Sequence, residues 1–184
     1  RIIGLSLVEA CARLRPDLDP ATHQAMAEAY KAAYRDLRHQ DDLREPLFPG
    51  ALAALDRLDA AGWLLGLATG KSRRGVDLLL QSHGLAGRFA TIQTADTNPG
   101  KPDPTMLVRA SAETGVAHRH LAMVGDTSYD MAMAVSAHAV AIGVSWGYHA
   151  PEDLRAAGAH RILGDFAALD AALDTLTGDE STCA

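Results

Sequence analysis

The sequence predicts an α/β protein: a Rossmann-like parallel sheet covered by helices on both faces, preceded by a small all-helical cap. From residue 47 onward, short apolar runs alternate with helical patterns, as parallel strands joined by crossover helices require. Ahead of residue 47, apolar residues recur only at helical spacing. Length agrees, since 184 residues suit one sizeable domain carrying a small addition. The expected division is 1–46 as a helical segment, 47–177 as the α/β core and 178–184 as a polar tail.

The elements follow in order. Ser6-Leu7-Val8-Glu9 matches a capping box and opens a helix with Leu7, Val8, Cys11 and Leu14 on one stripe. Asp19-Pro20 is an N-cap followed by proline at the first helical position. Behind it Met26, Tyr30, Ala33 and Leu37 form the apolar stripe, with His23, Glu28, Lys31 and Arg35 on a solvated face. Two such helices make a poor core alone, so they should pack on something else. Phe48-Pro49-Gly50 then punctuates the chain. A helix over 51–60 leads to a strand at 63–68, a helix around Val76 to Leu80, and a strand at 91–93. A loop rich in glycine and proline precedes a helix that stops at Gly115. A strand at 121–124, a helix over 128–137 and a strand at 140–144 come next. A short helix ending at Gly158, a last strand at 161–163 and a helix capped by Asp165 complete the pattern. The sequence contains no internal repeat and no low-complexity segment.

Composition narrows the class. With 17 Lys+Arg against 23 Asp+Glu, the net charge is −6. No basic run accompanies it, which argues against a nucleic-acid partner. Charges interrupt every apolar stretch, so no membrane partner is expected. The opening residues carry one arginine and no long apolar run, unlike a signal peptide. Cys11 and Cys183 lack metal-ligand spacing and favour a reducing, cytoplasmic setting. The chain opens on Arg1, not Met, so it is expected to start partway through a longer protein.

Ligands of parallel sheets sit at the carboxyl ends of the strands. The 63–68 strand ends in Thr69-Gly70-Lys71-Ser72, a hydroxyl and backbone amides that could cradle phosphate or serve only to cap a helix. It is no Walker A loop, because three residues separate Gly66 from Gly70 where that motif has four. Lys101, before Pro102, is kept out of helical geometry on a loop, where it could neutralise a phosphate or a carboxylate cluster, or be a surface lysine. Asp126 and Asp130 share one face of a helix start and offer hard oxygens to Mg²⁺, or serve as cap and first-turn acid. A hydroxyl with amides, a lysine and paired aspartates together form an inventory for holding Mg²⁺ and a phosphoryl group.

In this order the motifs resemble the haloacid dehalogenase superfamily of phosphatases. Leu64-Leu65-Gly66-Leu67-Ala68-Thr69-Gly70 looks like that superfamily's second motif, Lys101 in Gly100-Lys101-Pro102-Asp103-Pro104 like its third, and Val124-Gly125-Asp126-Thr127-Ser128-Tyr129-Asp130 like its fourth. The likeness covers essentially the whole chain and is strongest to phosphoglycolate phosphatase-like members, which carry a helical cap ahead of a Phe-Pro-Gly turn. The resemblance implies hydrolysis through an aspartyl-phosphate. Thr69 and the Gly70 amide would hold the phosphoryl oxygens, Lys101 would offset charge, and Asp126 would bind Mg²⁺. Asp130 would be a direct or water-mediated ligand. Arg1, Gly4 and Arg44 would be substrate-facing cap positions. The partner expected is a small phosphorylated metabolite, and the protein a monomer or homodimer.

One motif is missing. The family's Asp-x-Asp-Gly-Thr, which supplies the nucleophile and the acid/base, does not occur; Asp17-Leu18-Asp19 has the spacing but sits in a turn beside prolines. Arg1 to Leu14 resembles the start of the family's cap, so the motif and its central strand are expected upstream, and these 184 residues alone should not turn over. A β-phosphoglucomutase-like phosphomutase, a pyrophosphatase and a non-catalytic phosphometabolite-binding protein are the alternatives. The eight histidines read as solvated, the pair at His118 and His120 included, and Trp146 and Tyr148 as packing at the sheet's edge.

Overall fold

The computed structural model describes residues 2–40 and 45–177. Arg1 and Arg44, two of the expected substrate-facing positions, lie outside the described residues, as do Cys183 and the tail from Gly178. No described helix is long and apolar enough to cross a membrane.

Two helices come first, α1 (Leu7–Leu14) and α2 (Pro20–Gln40). The capping box forms as read: Ser6 Oγ accepts the Glu9 N–H, and the Glu9 carboxylate accepts the Ser6 N–H. Asp19 likewise accepts the Thr22 N–H at the head of α2. The buried stripes differ from those expected. Ala10, His23 and Ala27 are buried, whereas Leu14, Tyr30 and Leu37 are each more than half exposed. Small alanines let the two helices approach closely, which turns the larger apolar side chains outward. His23, expected on the solvated face, is instead held by the Arg15 carbonyl at 2.7 Å.

After Gly50 the core alternates as predicted: α3 (Ala51–Ala60), β1 (Gly66–Thr69), α4 (Arg73–Ser82), β2 (Thr91–Thr94), α5 (Thr105–Thr114), β3 (Ala122–Gly125), α6 (Ser128–Ser136), β4 (Val140–Val144), α7 (Pro151–Ala156), β5 (Arg161–Leu163) and α8 (Leu169–Thr177). All strand pairs are parallel. The α/β class with Rossmann-like parallel pairing therefore holds. The first strand begins later than the apolar run suggested, with Trp63 and Leu65 packing beside Ala54 and Leu58 of α3 while the Leu65 carbonyl still accepts the Ala90 N–H.

Among the described residues the strands form two sheets, β1-β2 and β3-β4-β5. Helices bridge the two sheets. Met106 and Leu107 of α5, Met131 and Met133 of α6 and Leu154 of α7 form one buried cluster. Ile142 of β4 packs with Leu163, Leu169 and Leu173 in a second, and Val76 and Leu80 of α4 anchor a third. Fully burying a side chain of this size stabilises by about 1.5–3 kcal/mol. Met106 of α5, Met131 of α6 and Leu154 of α7, all at 0% exposure, join the helices in that first cluster.

Candidate functional site

The residues expected to act together lie at the carboxyl ends of β1 and β3 and on the loop after β2. Thr69 is the last residue of β1, and its hydroxyl accepts the Lys71 N–H at 3.2 Å. The cap of α4 is a different residue, Ser72, whose Oγ accepts the Gly75 N–H. The Arg73 N–H is bound by Asp96 at 2.5 Å. Those donors at the start of α4 are therefore already used, and the phosphate-binding capacity of this turn rests on the Thr69 hydroxyl and the Gly70 amide.

Lys101 is not a surface lysine. It is 8% exposed, follows the buried Asn98 in chain order, and its peptide bond to Pro102 is cis. Its ammonium donates to Asp130 Oδ1 at 2.6 Å. The loop that carries it is held from below by a buried polar chain. Asn98 Nδ2 donates to Gln93 Oε1 and to the Thr94 carbonyl, Gln93 Nε2 donates to Thr91 Oγ1, and Thr91 donates to Glu113 of α5. These bonds hold the Glu113 carboxyl below the usual carboxylate range, Thr91 being the larger cause and Gln93 the next.

Asp130 serves helix and site at once. Its Oδ2 accepts the N–H and the O–H of Thr127, while Thr127 Oγ1 accepts the Asp130 N–H, a capping box at the head of α6. Both carboxylate oxygens are thus engaged, one by the Lys101 ammonium and the other by Thr127.

Asp126 sits just beyond β3 and is less buried than Asp130. Its Oδ2 accepts the Tyr148 N–H at 3.1 Å, and its carbonyl accepts the His149 N–H at 3.1 Å. Gly147 lies so close that a Cβ there would overlap the Asp126 side chain. The loop after β4 therefore wraps this carboxylate by its backbone. Tyr148, expected to pack the sheet's edge, contributes its amide, while its side chain is 65% exposed. Trp146 does pack there, edge-on to Phe166 at 4.8 Å.

The helical segment closes over these loops. Gly4, at φ +99, brings its backbone against Thr127, and the Leu5 carbonyl lies against Gly70. Consecutive residues thus touch the turns that follow β1 and β3. Glu9 rests on Gly100, where a Cβ would overlap its carboxylate. Arg13 donates to Tyr129 Oη at 3.0 Å. Glu45 accepts from Tyr34 of α2 at 2.6 Å and from Lys71 at 2.7 Å, tying the other end of the segment to the turn after Thr69. Gly4 lies against Thr127, and Glu9, Tyr129 and His149 gather at the same loops unannounced. His149 is 5% exposed, contrary to the solvated reading of the histidines. The Gly147-Tyr148-His149 run just after the fourth strand was the one signal that could have pointed to it.

Between the two sheets runs a cleft of about 870 Å³, lined by Leu65, Leu67 and Ala68 on one side and by Leu121, Met123 and Asp126 on the other. Among the described residues, β1 pairs only with β2 and β3 only with β4. Each therefore turns an unpaired edge to this cleft. Both strands are only partly buried along their length, in contrast to the buried run of β4.

The parallel core thus carries Thr69 and Asp126 at the ends of β1 and β3, with the buried Lys101–Asp130 pair on the loop after β2 and the first turn of α6. A family model for haloacid dehalogenase-like hydrolases matches residues 1–144, and the chain belongs to that family. Relatives agree. The Dickeya dadantii protein named "Probable phosphatase IndB" is 34% identical over 169 residues, covering 89% of this chain and 72% of that protein. A phosphoglycolate phosphatase of Vibrio cholerae is 28% identical over 142 residues, covering 77% of this chain and 62% of its own length. Among solved structures, a hydrolase from Pseudomonas syringae superposes with a TM-score of 0.80 at 28% identity, over 95% of this chain and 80% of that one. A β-phosphoglucomutase from Clostridium difficile shares the fold, with a TM-score of 0.78 at 19% identity over 96% and 79%.

Proposed function

We propose that the protein is a Mg²⁺-dependent phosphatase of a small phosphorylated metabolite, with a phosphoglycolate-like monoester as the first substrate to try. The observation that carries this reading is the buried Lys101–Asp130 pair, which joins the loop after β2 to the head of α6. A lysine held at that depth is preorganised for negative charge that develops nearby.

In this reading the Thr69 hydroxyl and the Gly70 amide hold oxygens of the transferring phosphoryl group, and Lys101 offsets charge on it. The Asp126 carboxylate, one oxygen fixed by Tyr148, offers the other toward a divalent cation. Mg²⁺ takes one or two carboxylates together with waters and substrate phosphate, so Asp126 suits it. Asp130, whose oxygens are engaged by Lys101 and Thr127, would bear on a cation less directly than Asp126. When bound, the cation would supply charge neutralisation at the phosphoryl oxygens.

The nucleophile belongs in the cleft between the two sheets. A parallel strand seated there would pair with the open edges of β1 and β3 and close one continuous sheet. A carboxylate at its carboxyl end would then lie among Thr69, Lys101 and Asp126. Its oxygen would attack phosphorus as the ester oxygen departs with a proton from a neighbouring acid, and water would then cleave the acyl-phosphate. Soluble cytoplasmic chemistry and action as a monomer or homodimer complete the reading.

The phosphomutase alternative rests on the shared fold alone. A panel of 2-phosphoglycolate, β-glucose 1-phosphate and pyrophosphate, assayed on the full-length protein for free phosphate, tests the proposal. Release from a monoester supports it. Isomerisation of the sugar phosphate without net release favours the mutase, and binding without turnover favours the non-catalytic alternative.

A further inference from the structure

We propose that Tyr129 and His149 are positioning residues that tie the seating of α1 to the orientation of the Asp126 carboxylate, with the Arg13–Tyr129 hydrogen bond as the latch. This rests on the reading of Asp126 as a ligand of a divalent cation and adds to it a route by which the helical segment reaches that ligand.

Tyr129 is in the first turn of α6, between the two aspartates. Its hydroxyl accepts from Arg13 Nη1 of α1 at 3.0 Å, a directional contact across 116 residues of sequence. Its ring meets the His149 ring edge-on, with centroids 5.7 Å apart and planes at 63°. The buried imidazole is itself fixed, because Nδ1 accepts the Ser128 N–H at 3.0 Å. That bond puts the ring proton on Nε2. The His149 N–H donates to the Asp126 carbonyl, and the neighbouring Tyr148 N–H to its Oδ2, both at 3.1 Å. A shift of the Tyr129 ring therefore moves His149, and a shift of His149 moves the strand of backbone that holds Asp126. Gly147 leaves that backbone no slack against Asp126.

Residues 4–9 also pack closely on the core, Gly4 on Thr127, the Leu5 carbonyl on Gly70 and Glu9 on Gly100. Arg13–Tyr129 adds a directional hydrogen bond to that packing. Because coupling between two sites is reciprocal, a cation on Asp126 must also favour the seated position of α1.

The test is a calorimetric Mg²⁺ titration of the full-length protein, as wild type and as Tyr129→Phe, Arg13→Met, Arg13→Lys and the Arg13→Met/Tyr129→Phe double variant. Arg13 is exposed and Tyr129→Phe keeps the ring, so these variants should fold. Each of Tyr129→Phe and Arg13→Met should weaken Mg²⁺ binding by about three- to tenfold, the range one hydrogen bond supports. The double variant should be no weaker than either single one, and Arg13→Lys should recover part of the loss. In parallel, Mg²⁺ should slow amide exchange across residues 7–14 in the wild type and not in Tyr129→Phe. Mg²⁺ affinity within about twofold of wild type in both single variants overturns the proposal, even if their melting temperatures fall. A different result marks failure of the underlying reading: wild-type protein that does not bind Mg²⁺, or Asp126→Asn that binds it equally well, removes the cation site and this inference with it.

Discussion

The ammonium of Lys101 donates to Asp130 Oδ1 across 2.6 Å, with the two side chains 10% and 5% exposed. This pair joins the loop after β2 to the first turn of α6, and so joins the two sheets across the open cleft. Removing one partner of such a pair leaves a buried charge uncompensated. Lys101→Met should therefore destabilise the protein by about 3 kcal/mol or more, read as the shift in urea midpoint, besides abolishing phosphate release.

Thr127 caps α6 and holds the second oxygen of Asp130. Thr127→Ala should cost about 1 kcal/mol from the lost cap, and activity should fall further than that loss explains because Asp130 is freed to swing. Thr127→Ser keeps the oxygen and should restore both, measured by denaturation and phosphate release side by side.

Gly147 lies against Asp126, whereas a Cβ on Gly164 would meet nothing within 4 Å. Gly147→Ala should thus lower phosphate release severely through displacement of Asp126, and Gly164→Ala should behave as wild type. Parallel activity assays of the two variants check this.

Glu113 holds its charge through Thr91 and Gln93, its pKa lying below the ordinary value. A carboxyl lowered by folding contributes stability above its unfolded pKa and loses it as pH falls through the folded one. The wild type should therefore exceed Glu113→Gln in urea midpoint near neutrality. That gap should close as pH falls below the usual carboxylate range.

Much of the site was legible because strand ends and helix caps are local. Thr69 and Asp126 follow apolar runs, Asp130 lies in the first turn of a helix and Lys101 precedes a proline, and the short-range chemistry of Ser6-Glu9 and Asp19-Pro20 formed as spaced. What stayed hidden depends on distance in the chain. Nothing near His149 tells that Ser128 will bind its ring, and nothing near Arg13 tells that it will reach Tyr129. The stripe of α2 misled for a related reason: periodicity gives the existence of an apolar face, but Ala27 against α1, not the bulk of Tyr30 or Leu37, decides which face is buried. The division of the sheet was legible only in part, since the missing first motif was readable and the half-buried state of β1 and β3 was not.

The most direct test of the phosphatase reading is steady-state phosphate release from p-nitrophenyl phosphate by the full-length protein, with and without Mg²⁺, compared with Asp126→Asn. Release that needs Mg²⁺ and disappears in Asp126→Asn is the predicted result. Release that continues without Mg²⁺, or that survives in Asp126→Asn, would contradict it.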